Sequence, residues 1–389
     1  MMGISPARKI ALDTLSSVEN GSYASDTLRE LSVALSPQDA GLASQIVFGC
    51  LRFQGQLDFL IELYSGRKPE KLDQVVRVNL RAAIFQLRYL ERIPPHAAVN
   101  DAVESVKRRA RSAAGFVNAV LRKVNREAVD WPDEATELSA PAWIMERWTQ
   151  HFGHEQARSI ALAALQPPEP YIRVPPGCTP PTGVELEPTA VIGAYRVLST
   201  PPRDMRLHDI SSQAIVPLLG LKPGNSYLDL CAAPGNKTLQ ALETPLSVAI
   251  ACDISYSRLQ TVPEVCPRVV LDATRPLPFS RGFDRIFIDA PCSGTGTLAR
   301  NPEIKWRVQP KDFSPFRERQ LRIAQQAIAC LLPGGIVVYA TCSLEREENE
   351  AVVREVRSLE PQLELVQELW RLPGRDEGDG FYAAALRKT

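Results

Sequence analysis

The sequence predicts an α/β protein in which a helical first third precedes a parallel-sheet second half. Three observations carry that prediction. From Ala7 to about Arg126 apolar residues recur at three- and four-residue spacing, and from about Arg206 onward short unbroken apolar runs alternate with helical segments. Between them lies a Pro-rich stretch. The first pattern is the stripe of packed helices, and the second is that of strands buried on both faces.

Composition sets the limits. At 389 residues the chain is long for one domain, so three regions are expected, at 1–130, 131–205 and 206–389. The 45 basic and 45 acidic residues cancel, which excludes a protein that coats nucleic acid with its whole surface. Any such contact must be a local patch. The 8 cysteines include no C-x-x-C pair, and the start MMGISPARKI holds no signal-like apolar run. Free thiols in a reducing cytoplasm are therefore expected, with no structural zinc and no membrane span. His151 and His154 lie three apart with no Cys near them to complete a ligand set, so no metal site is expected there either.

In the first region Val76, Leu80, Ala83, Ile84 and Leu87 fall on one helix face, and Phe116, Val117, Val120, Leu121 and Val124 on another. Pro94 and Pro95 end one helix and begin the next. Lys107, Arg108, Arg109 and Arg111, followed by Arg122, Lys123 and Arg126, form a cationic cluster that by itself reads first as a solvated helix face. In the second region, helical patterning around Trp143, Ile144 and Trp148 and through Ile160, Ala161 and Leu165 gives way to QPPEPYIRVPPGCTPPTG. That is a small connecting α+β region.

The third region supplies candidate strands at Tyr227–Leu230, Val248–Cys252, Val269–Leu271, Arg285–Asp289 and Ile336–Ala340, with helices at Phe316–Leu332 and Arg346–Leu359. Leu363–Val366 and Phe381–Leu386 are expected to close the sheet as an antiparallel pair. The first strand runs into YLDLCAAPGNKT, where Ala232, Ala233 and Gly235 leave the backbone bare to a ligand in the crevice at the strand ends. Its spacing is neither G-x-G-x-x-G nor a P-loop. Asp253, Asp272 and Asp289 follow or end the next three strands. Singly each is an ordinary turn residue; in series they line the crevice, the first of them placed for a ribose. The fourth strand continues as DAPCSGTGTLARNPEIKW, and the fifth ends in Thr341-Cys342-Ser343 before the acidic helix start LEREENE. Cys292 and Cys342, at the ends of adjacent strands, are expected to converge.

AAPG-x-KT, DAPCSGTG, PEIKW and TCS, in that order, resemble the RNA 5-methylcytosine methyltransferases of the Sun/Nop2 family, nearest their bacterial small-subunit ribosomal RNA branch. LASQIVFGCLR, LDFLI, HAAVNDAVE and GFVNAVLRKV resemble a NusB-like RNA-binding domain. Asn236 stands where the family usually has a second Gly, a place where Asn tolerates a left-handed backbone. The resemblance implies a Rossmann-like methyltransferase domain preceded by an all-α NusB-like domain.

It also implies S-adenosylmethionine as cofactor. Cys231, Ala232, Ala233, Pro234, Gly235, Asn236 and Lys237 would hold its methionine end, Asp253 its ribose and Asp272 its adenine, with Asp289 alongside. By the same resemblance Cys342 attacks cytosine, Cys292 helps release product, and Asp289 serves ring nitrogen 3. RNA contact would come from Lys107, Arg108, Arg109, Arg111, Arg300 and Lys305, with Gln213 positioning the loop. Thiols suit this chemistry because carbon 5 of cytosine becomes nucleophilic only after a thiolate adds at carbon 6. The residues alone do not rank the two thiols. Ribosomal RNA is the first-choice substrate; transfer RNA, or a non-catalytic RNA-binding factor with a relic domain, are the alternatives at this point.

Overall fold

A computed structural model describes residues 4–202 and 204–389. The chain forms two compact units, Met1–Gln166 with Ala299–Arg307, and Pro167–Leu298 with Val308–Thr389.

The first unit is helical: α1 (Pro6–Glu19), α2 (Ala24–Leu31), α3 (Pro37–Arg52), α4 (Gln54–Ser65), α5 (Gln74–Tyr89), α6 (Pro95–Arg109), α7 (Ala114–Leu121), α8 (Glu134–Glu137), α9 (Ala142–Phe152) and α10 (His154–Ala164). Local chemistry starts them. Ser5 and Ser36 accept the amides of Arg8 and Asp39, each with Pro in the first turn, so α1 and α3 begin capped. The expected stripe is the core, with Val76, Leu80, Ala83 and Ile84 buried on α5 beside Ile46, Leu57, Leu60 and Val117. At Gly49 an added Cβ would stand 1.9 Å from the Phe85 ring, so glycine there lets α3 and α5 close. His154 has its Nε2 2.8 Å from Glu134, twenty residues earlier. The helices α8 to α10, from the expected connecting region, lie in this unit.

The second unit opens with β1 (Tyr171–Arg173), β2 (Leu186–Pro188) and β3 (Ala194–Val197), an antiparallel sheet in the order β1-β3-β2. Then follow α11 (Ile210–Ile215), β4 (Ser226–Asp229), α12 (Asn236–Ala241), β5 (Val248–Asp253), α13 (Tyr256–Leu259), β6 (Arg268–Val270) and β7 (Phe283–Asp289). The short α14 (Ile304–Arg307) belongs to the first unit. The chain resumes with α15 (Phe313–Ala329), β8 (Leu331–Thr341), α16 (Glu350–Leu359), β9 (Leu363–Arg371) and β10 (Phe381–Lys388). The main sheet runs β6-β5-β4-β7-β8-β10-β9, parallel from β6 to β8 and antiparallel at β10 and β9. This is a Rossmann-like sheet whose order reverses at β4. A crevice at the strands' carboxyl ends follows from that reversal.

Two boundaries differ from expectation. α15 stops at Ala329 and β8 begins at Leu331, because Leu331 pairs with Phe283 ahead of a register shift. α16 begins at Glu350, so no helix follows Cys342 directly. Residues 343–349 are wound in turns instead, with Glu348 N bonded to Glu345 O, Asn349 N to Arg346 O, and the Asn349 side-chain Nδ2 to Ser343 O.

Candidate active site

The loop after β4 is bare as its sequence implies. Ala232 and Ala233 are 6% and 5% exposed, and Gly235 takes the left-handed turn at φ 98. Asn236 is not left-handed: it begins α12, and its side chain donates to Leu207 O at 2.9 Å while accepting from Arg206 at 2.8 Å. Arg206 also reaches Pro234 O at 3.2 Å, which makes it a loop-clamping residue that nothing local in the sequence reveals.

Asp253 at the end of β5 is 3% exposed, and its oxygens accept the amides of Ala233 at 3.3 Å and Ser255 at 2.9 Å. Each oxygen keeps a lone pair for a diol. Asp272, after β6, accepts from the Thr274 hydroxyl and amide, bonds that hold its carboxyl below the usual carboxylate range. Beneath the loop Asp229 accepts from Thr238 at 2.7 Å and Tyr227 at 3.2 Å, and burial pushes its pKa up to about 6. Gln213 ties the loop's support together, donating to His208 O and Ile172 O and accepting on its carbonyl from Gln240.

Lys237, on α12, points at the end of β7. Its Nζ is 2.7 Å from Asp289 Oδ2. Burial alone lowers an ammonium pKa, but the charge and hydrogen bond of Asp289 prevail and raise that of Lys237. The Lys237 ammonium is therefore held charged.

The two thiols meet. Cys292 Sγ lies 3.4 Å from Cys342 Sγ, both half-buried. The hydrogen bond to Cys342, then burial, raises the Cys292 pKa well above that of a free thiol, and either sulfur can be the donor between them. Cys231 is likewise held protonated by burial and the acidic groups around it. The 292 loop is seated by Gly296, whose amide donates to Cys342 O at 2.9 Å and whose carbonyl accepts from Gly380 at 2.7 Å. A Cβ at Gly296 would fall 2.3 Å from Gly380 O, so only glycine allows that approach.

The cations fall into two groups in the first unit. Lys107, Arg108, Arg109 and Arg111 are exposed at the end of α6 and just beyond. Glu104 lies 3.8 and 3.6 Å from the first two, and Asp13 lies 2.7 Å from Arg109. Lys123 and Arg126 bond the backbone carbonyls of Tyr64, Leu87 and Leu90. Arg300 is half-buried. Lys305 corrects an expectation: it is 2% exposed and donates to Arg52 O at 2.8 Å. Burial lowers its pKa to about 7, and its ammonium is not at the surface for a phosphate. Trp306 packs beside it, bonding Leu51 O at 2.8 Å.

Residues 216–387 match the family described as 16S rRNA methyltransferase RsmB/F, and residues 5–126 match the NusB family. A probable ribosomal RNA small subunit methyltransferase B of Bacillus subtilis is 30% identical, over 98% of this chain and 98% of its own. A ribosomal RNA small subunit methyltransferase B of Escherichia coli is 32% identical, over 95% and 96%. Among solved structures, PH0851 superposes with a TM-score of 0.81 at 22% identity, covering 100% of both chains.

Proposed function

Since this chain belongs to the ribosomal RNA small subunit methyltransferase B family, we propose that it transfers a methyl group from S-adenosylmethionine to carbon 5 of a cytosine in RNA. Small-subunit ribosomal RNA, the substrate class in its relatives' names, is the proposed target. The observation that carries the chemistry is the 3.4 Å approach of the Cys292 and Cys342 sulfurs at the ends of β7 and β8. A half-buried pair of thiols beside a charged Lys–Asp pair suits covalent addition to a pyrimidine.

The cofactor pocket fits. The bare loop at 231–235 admits the methionine end, the free lone pairs of Asp253 suit a ribose, and Asp272 lies one strand further for the adenine. When bound there, S-adenosylmethionine supplies the electrophilic methyl group.

The residues of the chain do the rest. Cys342 adds through its thiolate to carbon 6, and the electron pair moves to carbon 5. Asp289 passes a proton from the Lys237 ammonium, 2.7 Å away, to ring nitrogen 3 as the ring takes up the thiolate's electron pair, and the proton returns when the Cys342–carbon 6 bond breaks. After methyl transfer the carbon 5 proton leaves and the Cys342–carbon 6 bond breaks. Cys292, acting as the thiol 3.4 Å away, gives its proton to the departing sulfur, and the carbon 5 proton replaces it. The helical unit presents Lys107, Arg108, Arg109 and Arg111 to RNA phosphates. The target base must be unstacked to enter, so a loop is the expected site.

Bisulfite mapping of cellular RNA with and without this gene tests the proposal. A single cytosine in small-subunit ribosomal RNA should lose its methylation in the deletion. Loss only in transfer RNA would overturn the substrate, and loss nowhere would overturn the chemistry.

A further inference from the structure

The two Cys-Ser dipeptides of the site, Cys292-Ser293 and Cys342-Ser343, are joined through one buried carboxylate. Glu348 is 0% exposed. Its Oε1 accepts the Ser293 amide at 2.9 Å and Gln320 Nε2 at 3.0 Å, and its Oε2 accepts the Ser293 hydroxyl at 2.5 Å and the Ser343 hydroxyl at 2.6 Å. The four donors use almost all the acceptor capacity of a carboxylate. Gln320 also donates to Pro291 O at 3.1 Å, so the same group holds the loop from its other side. The residue is fixed in turn from β8, since Tyr339 donates to the Glu348 carbonyl at 2.5 Å.

An acidic side chain is expensive to bury, and burial raises the pKa of Glu348 while the two serines lower it. A loop that needed only anchoring could use apolar contacts. What the carboxylate adds is direction, because each serine it grips adjoins one of the two cysteines.

We propose that Glu348 is a positioning residue for the thiol pair, fixing the loops after β7 and β8 so that the sulfurs of Cys292 and Cys342 stand within proton-transfer distance. This rests on the two-thiol reading given above. Glu348 touches neither sulfur; it acts through Ser293 and Ser343. A shift of either serine by one methylene carries its neighbouring sulfur by a similar amount, and misplacement of about 1 Å costs about 100-fold in rate.

The test compares wild type with Glu348→Gln, Glu348→Asp and Ser343→Ala, using three readouts. The first is the rate at which oxidised glutathione converts the Cys292–Cys342 dithiol to a disulfide, being itself reduced to two thiols. It needs neither RNA nor cofactor, so it separates failure of this proposal from failure of the methylation reading. The second is single-turnover methyl transfer to RNA. The third is calorimetric affinity for S-adenosylmethionine, which reports whether the unit is folded.

In Glu348→Gln and Glu348→Asp, disulfide formation should slow by about tenfold or more and methyl transfer by about 10- to 100-fold, with cofactor affinity within about twofold of wild type. Ser343→Ala should move both rates in the same direction by less. Wild-type oxidation rates in folded Glu348→Gln and Ser343→Ala would overturn the proposal. So would a fall in cofactor affinity in proportion to the rates, because that marks a general loss of fold.

Discussion

Lys237, half-buried, and Lys305, fully buried, lie in different units and behave oppositely. Lys237 in the second unit faces Asp289 at 2.7 Å, and the carboxylate more than offsets the effect of burial, so the ammonium is held charged. Lys305 in the first unit has a carbonyl as partner, Arg52 O at 2.8 Å, with the Arg52 charge opposing it. There burial wins, and the pKa falls to about 7. Depth therefore does not decide whether a lysine carries charge; the sign of what faces it does. Lys237 keeps its charge beside the two thiols' strands, whereas Lys305 loses much of its own to packing.

Lys305 should weigh most heavily, and on stability. Its folded pKa lies below the unfolded value of 10.5, so the cost of burying it is complete below about pH 7 and fades as pH rises from 7 to 10.5. That shift corresponds to about 5 kcal/mol at most. Hydrogen exchange of the α3 and α4 amides in wild type minus Lys305→Met should show this pH-dependent difference. A flat difference across the window would erase the contrast between the lysines.

Lys237→Met leaves the Asp289 carboxylate without its cation, at a cost of about 3–5 kcal/mol. Methyl transfer should fall by about 100-fold or more, read by single-turnover kinetics. Near-normal turnover would mean that Lys237 is also only packing. Asp253→Ala should weaken S-adenosylmethionine by about 1–3 kcal/mol with RNA affinity unchanged, measured by calorimetry. Equal weakening for both ligands would point to a collapsed loop.

The exposed cations should matter least. Neutralising Arg108, Arg109 and Arg111 together should flatten the salt dependence of RNA affinity, with a slope change of about 0.7 for each phosphate that is no longer neutralised. Glu104 and Asp13 already engage two of the three arginines, so less than the full change is expected. An unchanged slope would make them a solvated face.

Where sequence and structure agree, the signal was local. The strand at Tyr227, the small residues at 232–235 and the antiparallel pair around Gly378 are written in adjacent residues, and the sheet follows them. The convergence of Cys292 and Cys342 was legible because both sit at the ends of strands that had to be neighbours. What escaped depends on distant partners. Lys305 lies among Arg, Pro and Glu and reads as surface, yet its place is set by Arg52, 253 positions away. The grip of Glu348 on Ser293 spans 55 positions, and the charges of LEREENE gave no sign that two of them, Glu345 and Glu348, are buried. The expected helix start at Arg346 failed for the same reason: the side chains of Glu348 and Asn349 are committed to the thiol loops, and the backbone turns to reach them.

Attack by Cys342 and release by Cys292 are separated by denaturing gel electrophoresis of enzyme incubated with labelled RNA and S-adenosylmethionine. Cys342→Ala should form no protein–RNA band and transfer no methyl group. Cys292→Ala should transfer the methyl group once and then stall as a stable methylated adduct, seen as a shifted band. A stable adduct in Cys342→Ala with none in Cys292→Ala would reverse the roles, and no adduct in either would contradict covalent catalysis by this thiol pair.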